Sequence, residues 1–320
     1  MNDLYLAADS GGTKTDWLVF DSAGTLLFRT QSPGIARLQS GTLSADDFIR
    51  DTSALSQFTV KSVCMSLGGP NTDEVQSLLK LRFPTSEVRV EREGNGEMIL
   101  TAAKCFGCSA AVLCGTGSTA MGIVNGRMKY AGGWGPVYGD DGAGGGVGFV
   151  ALKTMLRAVD GMADAGRLPE LFTPLSDGQD ITSFAGRMEF KRRANAMTRA
   201  DLAALAPKIE RLASEGDAVA NAILDHAAED NALLAAAVTT PDVPSGVFGC
   251  GGFFRIGESF TSACETHLAR LRPKAHWFFA PADFAVILAV VVRMMQLEKL
   301  PVRDDMLFKL MNDYTKLQRN

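Results

Sequence analysis

The chain opens on an apolar run over residues 4–8 that stops at Asp9-Ser10-Gly11-Gly12. It resumes as Trp17-Leu18-Val19-Phe20. Two apolar runs joined by a glycine turn predict a β-hairpin. A third strand is expected over 25–30, after the turn at Ser22 to Gly24. Residues 45–55 have helical spacing. A buried strand is predicted over 62–67, ended by Gly68-Gly69-Pro70, followed by a helix over 72–81 with an acidic first turn. A strand over 88–91 and a helix over 98–106 complete this half.

The pattern then restarts. An apolar strand over 110–114 is broken by Gly115-Thr116-Gly117-Ser118, and a strand over 119–124 follows. Asn125-Gly126 is a strong two-residue hairpin turn, so a return strand is expected over 127–131. Each half thus begins strand, polar glycine turn, strand. The repetition lies in element order and not in residue identity. Residues 150–238 are alanine-rich with helical periodicity. Short strands over 245–249 and 278–280 and helices over 282–297 and 304–317 close the chain.

Composition narrows the function classes. A length of 320 residues predicts two domains, and 46% hydrophobic with 21% charged residues is an ordinary globular balance. A net charge of −4 gives no footprint for nucleic acid. The single basic cluster, Lys191-Arg192-Arg193, reads as a solvated helix face. The longest apolar run, over 284–292, is far short of the ~20 residues that span a membrane. Cys64, Cys105, Cys108, Cys114, Cys250 and Cys264 sit in apolar or glycine-rich surroundings with no secretory signal before them. They read as reduced thiols of a cytoplasmic protein. Cys105 and Cys108 form a lone Cys-x-x-Cys with no second pair, and His226, His267 and His276 lack zinc spacing, so packing is preferred to a metal site.

Four segments carry candidate chemistry. In Asp9-Ser10-Gly11-Gly12-Thr13-Lys14-Thr15-Asp16 a strand ends in an acid and a tight hairpin follows. Glycines let backbone approach a phosphate, successive amides form an anion nest, and one carboxylate suits hydrated magnesium. The turn leads to a strand and lacks Gly-Lys-Ser/Thr, so it is not a Walker loop. Cys114 to Ser118 offers a second turn of the same kind. Residues 132–148 hold nine glycines. There Gly132-Gly133-Trp134-Gly135 precedes Gly139-Asp140-Asp141-Gly142-Ala143-Gly144, which reads as a loop approaching a ligand by backbone; calcium spacing is not met. In Phe248-Gly249-Cys250-Gly251-Gly252 a strand ends in glycines on which a flat base could lie.

In this order the four segments resemble the BadF/BadG/BcrA/BcrD ATPase family, and within it the N-acetylglucosamine kinases, from Leu4 to about Ala289. The resemblance implies an α/β chain of two actin-like (ribonuclease H-like) domains with a nucleotide cleft between them, and ATP with Mg2+ as cofactors. The first domain would take 1–112 with 304–320, and the second 113–303 with a helical insertion. Asp9 would place the metal. Gly11, Gly12, Thr13 and Lys14, with Gly115, Thr116, Gly117 and Ser118, would hold phosphates. Gly251 and Gly252 would lie by adenosine, and Trp134 and Asp140 would contact a sugar.

Two positions depart from that pattern. The kinases' catalytic aspartate falls on Gly96 here, and their sugar-binding asparagine falls near Ala36. A proton acceptor is worth ~10²–10⁴-fold, and glycine supplies none, so Glu97, with Glu93 near it, or Asp140 is the substitute. The leading expectation is an ATP-dependent kinase acting on a hydroxyl of an amino sugar such as N-acetylglucosamine. The alternatives are a BadF-type ATPase, with Cys105 and Cys108 the only cluster candidates, and a nucleotide-binding regulator without turnover. The expected partner is a small-molecule sugar, with no nucleic acid or membrane; the resemblance leaves a homodimer open.

Overall fold

The computed structural model describes residues 3–10, 14–35, 43–67, 72–92, 95–303 and 305–319. Gly11, Gly12, Thr13, Ala36, Gly68 to Pro70 and Glu93, all singled out above, lie outside the described residues. The chain divides into two compact units, Met1–Gly107 with Pro281–Asn320, and Cys108–Ala280.

The first unit holds β1 (Leu4–Ser10), β2 (Lys14–Asp21), β3 (Leu26–Pro33), α1 (Ala45–Asp51), β4 (Ser62–Leu67), α2 (Thr72–Arg82), β5 (Glu87–Arg92) and α3 (Asn95–Cys105). The second holds β6 (Ala110–Cys114), β7 (Ser118–Val124), β8 (Arg127–Gly132), α4 (Gly144–Val159), α5 (Pro169–Ser176), α6 (Phe184–Ala196), α7 (Arg199–Ala203), α8 (Ala206–Ser214), α9 (Ala218–Ala237), β9 (Ser245–Cys250), α10 (Glu258–Leu271) and β10 (Ala275–Phe279). Helices α11 (Val286–Leu297) and α12 (Met306–Arg319) return to the first unit.

The first sheet has the order β3-β2-β1-β4-β5 and the second β10-β9-β6-β7-β8. In each, the first three strands pair antiparallel and the other two add in parallel beside the first. The weak repeat in element order is therefore a repeat of topology. Each sheet is the five-stranded frame of an actin-like domain.

Burial explains which runs are uniformly apolar. Strand β4 is buried along its whole length, as a parallel strand covered on both faces must be. One face packs Leu6, Trp17, Phe48, Val63 and Leu79 into a core. Helix α11, almost wholly apolar, packs on α3, β1 and β4. That packing places the return to the first unit at Pro281, earlier than the 304 expected from sequence. The indole N–H of fully buried Trp17 donates to Ser32 Oγ at 3.0 Å, satisfying the one polar atom it brings inside.

In the second unit, Asn125 (φ 52°) and Gly126 (φ 73°) are both left-handed, as a two-residue hairpin of the predicted kind demands. Alanines 220, 227, 228, 232 and 235 of α9 are buried, and this flat surface packs on β6 and β7. Strand β10 starts at Ala275, ahead of the expected 278, because Trp277 turns inward and stacks on Phe279 at 5.4 Å. Arg192 and Arg193 of the basic cluster are spent on Glu189, and Arg193 also on Asp177. Among the described residues no helix is long and apolar enough to cross a membrane.

Candidate active site

In the first unit, β1 carries Asp9 to the end of the sheet, where it faces Asp16 across the antiparallel pair and Ser66 across the parallel one. Asp16 is well matched with cations and amide: Lys14 Nζ at 3.2 Å, Arg29 Nη2 at 2.9 Å, and the Gln31 amide at 2.6 Å. Arg29 in turn lies 5.0 Å over the Tyr314 ring. Among the described residues, the hydrogen-bond partner of the Asp9 carboxyl is the Ser66 hydroxyl. Burial pushes its carboxyl up to about 6, with the charge of Asp16 adding to the rise against the pull of Ser66 and Lys14. Of the two strand-end carboxylates, Asp16 is matched by cations and Asp9 is not. Asp9 forms no ion pair among the described residues, which is the condition of a group that waits for a cation.

In the second unit, the tip between β6 and β7 is held from three sides. Within it, Gly115 N–H donates to Gly117 O at 2.8 Å. The first amides of α4, from Gly144 and Gly145, donate to Gly115 O (2.9 Å) and Thr116 O (3.1 Å). Helix α4 has no side-chain cap, so these bonds satisfy amides a helix start leaves open. The Asp140 carboxylate takes Ser118 N–H on Oδ1 at 2.8 Å and the Arg199 guanidinium on Oδ2. Arg199 Nη2 also reaches Thr116 O at 3.2 Å. Asp140 is 8% exposed and sits at φ 66°, a conformation Asp and Asn tolerate better than most residues.

The amides of Gly115 and Ser118 are used inside the protein. Those of Thr116 and Gly117 have no partner among the described residues, and they are the two amides of the turn left to meet an anion.

The glycine density of 132–148 has a different cause from the one expected. Much of it opens a helix and serves close packing. A Cβ on Gly145 would stand 2.9 Å from Thr116 O, and Cβ atoms on Gly146 and Gly148 would overlap the carbonyls of Asp140 and Leu202. Gly132, Gly133 and Gly135 have φ of 72°, 74° and 81°, and Gly133 N–H is tied to Ser118 O at 2.9 Å. They hold Trp134 outward, 76% exposed, with a ring face free to stack. Asn231, fully buried on α9, donates to Gly142 O (2.7 Å) and Ala227 O (2.8 Å) and so fixes the loop behind Asp140. Neither Asn231 nor Arg199 was legible in the sequence, since their partners lie 89 and 83 residues away.

Gly251 closes the same corner. It ends β9 at φ 108°, and a Cβ there would overlap Cys114 O at the end of β6. Gly252, beside it, meets nothing within 4 Å. Gly251→Ala combines a strained backbone with overpacking, each ~1–3 kcal/mol. It is expected to lower stability by about 2–4 kcal/mol, read as an earlier urea midpoint at unchanged slope. An unchanged midpoint would contradict the contact.

Gly96 and Glu97 fall in the first turn of α3; the Glu97 side chain lies outside the described residues. Burial pushes the Cys108 thiol up to about 11 and Cys64 up to about 12. None of the six cysteines, all among the described residues, forms a disulfide.

A profile of the BadF/BadG/BcrA/BcrD ATPase family matches residues 8–268. The N-acetyl-D-glucosamine kinase of Dictyostelium discoideum is 27% identical over 258 residues, 72% of this chain and 77% of that protein. The N-acetylmuramic acid/N-acetylglucosamine kinase of Clostridium acetobutylicum is 30% identical over 132 residues, 40% of each chain. Among solved structures, a candidate N-acetylglucosamine kinase from Chromobacterium violaceum superposes with a TM-score of 0.68 at 21% identity, covering 91% of this chain and 98% of that one. A ROK family glucokinase from Streptomyces griseus, in complex with glucose and AMPPNP, gives 0.57 at 18%, covering 92% and 99%. These structures establish the actin-like fold. With its profile spanning most of the chain, the protein belongs to the BadF/BadG/BcrA/BcrD ATPase family.

Proposed function

We propose that the protein is an ATP-dependent kinase that phosphorylates a hydroxyl of an amino sugar, N-acetylglucosamine or a close relative. The observation that carries this reading is the agreement of a glycine phosphate turn, with two uncommitted amides at Thr116 and Gly117, with sequence relatives that are amino-sugar kinases. A BadF-type ATPase working through a cysteine-bound cluster is not favoured, because the sequence relatives are amino-sugar kinases.

Roles follow the chemistry of each group. Asp9 is the metal-side acid, and its unpaired carboxyl fits a hard cation. No three ligating side chains converge among the described residues, and magnesium prefers one or two carboxylates plus water. Bound there, magnesium would neutralise charge on the transferring phosphoryl group. Gly11 to Lys14 and, in the Gly115–Ser118 turn, the amides of Thr116 and Gly117 bind phosphates, Gly251 and Gly252 lie against adenosine, and Trp134 stacks on the sugar. In the transfer, the sugar hydroxyl oxygen bonds to the γ-phosphorus, the bond to the β–γ bridging oxygen breaks, and the hydroxyl proton passes to a carboxylate. Both Asp140 oxygens already accept, so we give the proton-acceptor role to Glu97. A carboxylate has about four acceptor sites, which leaves Asp140 able to take a sugar hydroxyl. The protein works in the cytoplasm on a diffusible substrate.

The test is ADP release with Mg–ATP and N-acetylglucosamine, N-acetylmuramic acid or glucose. Release stimulated at least tenfold by an N-acetylated sugar is expected. Equal release with and without any sugar would reject the kinase reading.

A further inference from the structure

Arg199 starts α7, in the helical insertion, behind a capping box made by Thr198 and Asp201. The cap fixes where the guanidinium emerges. It emerges against the phosphate turn: a Cβ on Gly117 would stand 2.5 Å from Arg199 Nη2 and 2.9 Å from Asp140 Oδ2, and one on Gly145 would stand 3.1 Å from Arg199 Cγ. The arginine side chain is 36% exposed, and that of Asp140 is 5% exposed.

This arrangement contains a conflict that Arg199 removes. Asp140 organises the turn by accepting Ser118 N–H, yet a buried carboxylate beside Gly117 places negative charge where a polyanion is to bind. Its field in a poorly solvated corner is weakly screened. The ion pair cancels that charge while keeping the hydrogen bond. We infer that Arg199 is the positioning cation of the phosphate turn: it makes the turn accept a nucleotide by neutralising Asp140, so the helical insertion controls nucleotide affinity. This rests on the nucleotide-binding part of the function proposed above and adds a residue that the sequence motifs do not contain.

The experiment is calorimetric titration with Mg–AMPPNP, without sugar, of the wild-type chain, R199M, R199K, D140N and R199M/D140N. Thermal melts establish that each is folded. R199M is expected to weaken binding about 10–100-fold, the range for losing a charged partner. R199K keeps the charge and stays within about fivefold of wild type. D140N still accepts Ser118 N–H, suits the left-handed backbone, and binds at least as tightly as wild type. The double variant recovers to within about fivefold of wild type, which a purely structural arginine would not produce. Should R199M not fold, R199Q takes its place in the same comparison. The inference is overturned if R199M binds like wild type, if D140N alone falls to the level of R199M, or if the double variant stays as weak as R199M. A wild-type chain that gives no heat rejects the nucleotide reading itself, so the two failures are distinct.

Discussion

Asp9→Asn is expected to lower sugar-dependent ADP release by about 10³-fold and, at the same time, to raise the melting temperature of the ligand-free protein at pH 7. The first effect is the several kcal/mol that metal-assisted charge neutralisation contributes to phosphoryl transfer. The second follows from the carboxyl being pushed up to about 6 by burial. A raised folded-state value means the folded chain holds the proton more tightly than the unfolded chain. The stability this gives is complete below the ordinary carboxylate range near 3.8 and is lost as pH rises through about 6. At pH 7 wild-type Asp9 is therefore an uncompensated charge, and Asn removes it while still accepting from Ser66. Discounted for the partial exposure of Asp9, the gain is about 1–2 kcal/mol. At pH 4 the two proteins should melt within a degree or so of each other. Activity runs the opposite way in pH. Cation binding needs the carboxylate, so kcat/KM at limiting magnesium should fall below about pH 6, and the midpoint should move to lower pH as magnesium is raised. An Asp9→Asn protein that is less stable than wild type at pH 7, or that keeps its magnesium-dependent turnover, would remove Asp9 from the metal site.

What the sequence disclosed and what it hid divide along physical lines. Backbone-driven features were legible. The Asn125-Gly126 hairpin, the fully buried β4 and the restart at β6 each follow from local sterics or from an unbroken apolar run, which act over a few residues. Features set by distant partners were hidden. The glycines of 142–148 looked like a ligand loop because composition records only that backbone comes close to something. The structure shows that the something is the carbonyls of Thr116, Asp140 and Leu202. Asp140 read as a free acid because its cation, Arg199, is 59 residues away in a stretch whose only local signal was helical periodicity. Helix α11 has a strongly apolar pattern, and pattern alone does not say which of two sheets it covers. The same limit set the expected domain boundary too late.

Glu97→Gln is expected to reduce kcat by about 10²–10⁴-fold, the range for a positioned proton acceptor, with the KM for ATP changed by less than about threefold. The resemblance puts the kinases' acid at Gly96, and Gly96 and Glu97 share the first turn of α3, directly after β5. Later in that helix Met98, Ile99, Ala102 and Ala103 are fully buried. Gln has the shape of Glu and cannot accept the hydroxyl proton, so a loss confined to kcat isolates proton transfer from binding. Successive helical residues project about 100° apart, so a carboxylate at 96 does not duplicate one at 97. It supplies the group from the position that the resemblance assigns to the kinases' acid. Gly96→Asp added to Glu97→Gln is accordingly expected to recover at least tenfold of the lost kcat, helped by the preference of a helix first turn for acidic residues. Undiminished kcat in Glu97→Gln would take the acceptor role away from Glu97. If kcat is lost, recovery by Gly96→Asp identifies the first turn of α3 as the place from which this fold delivers its base.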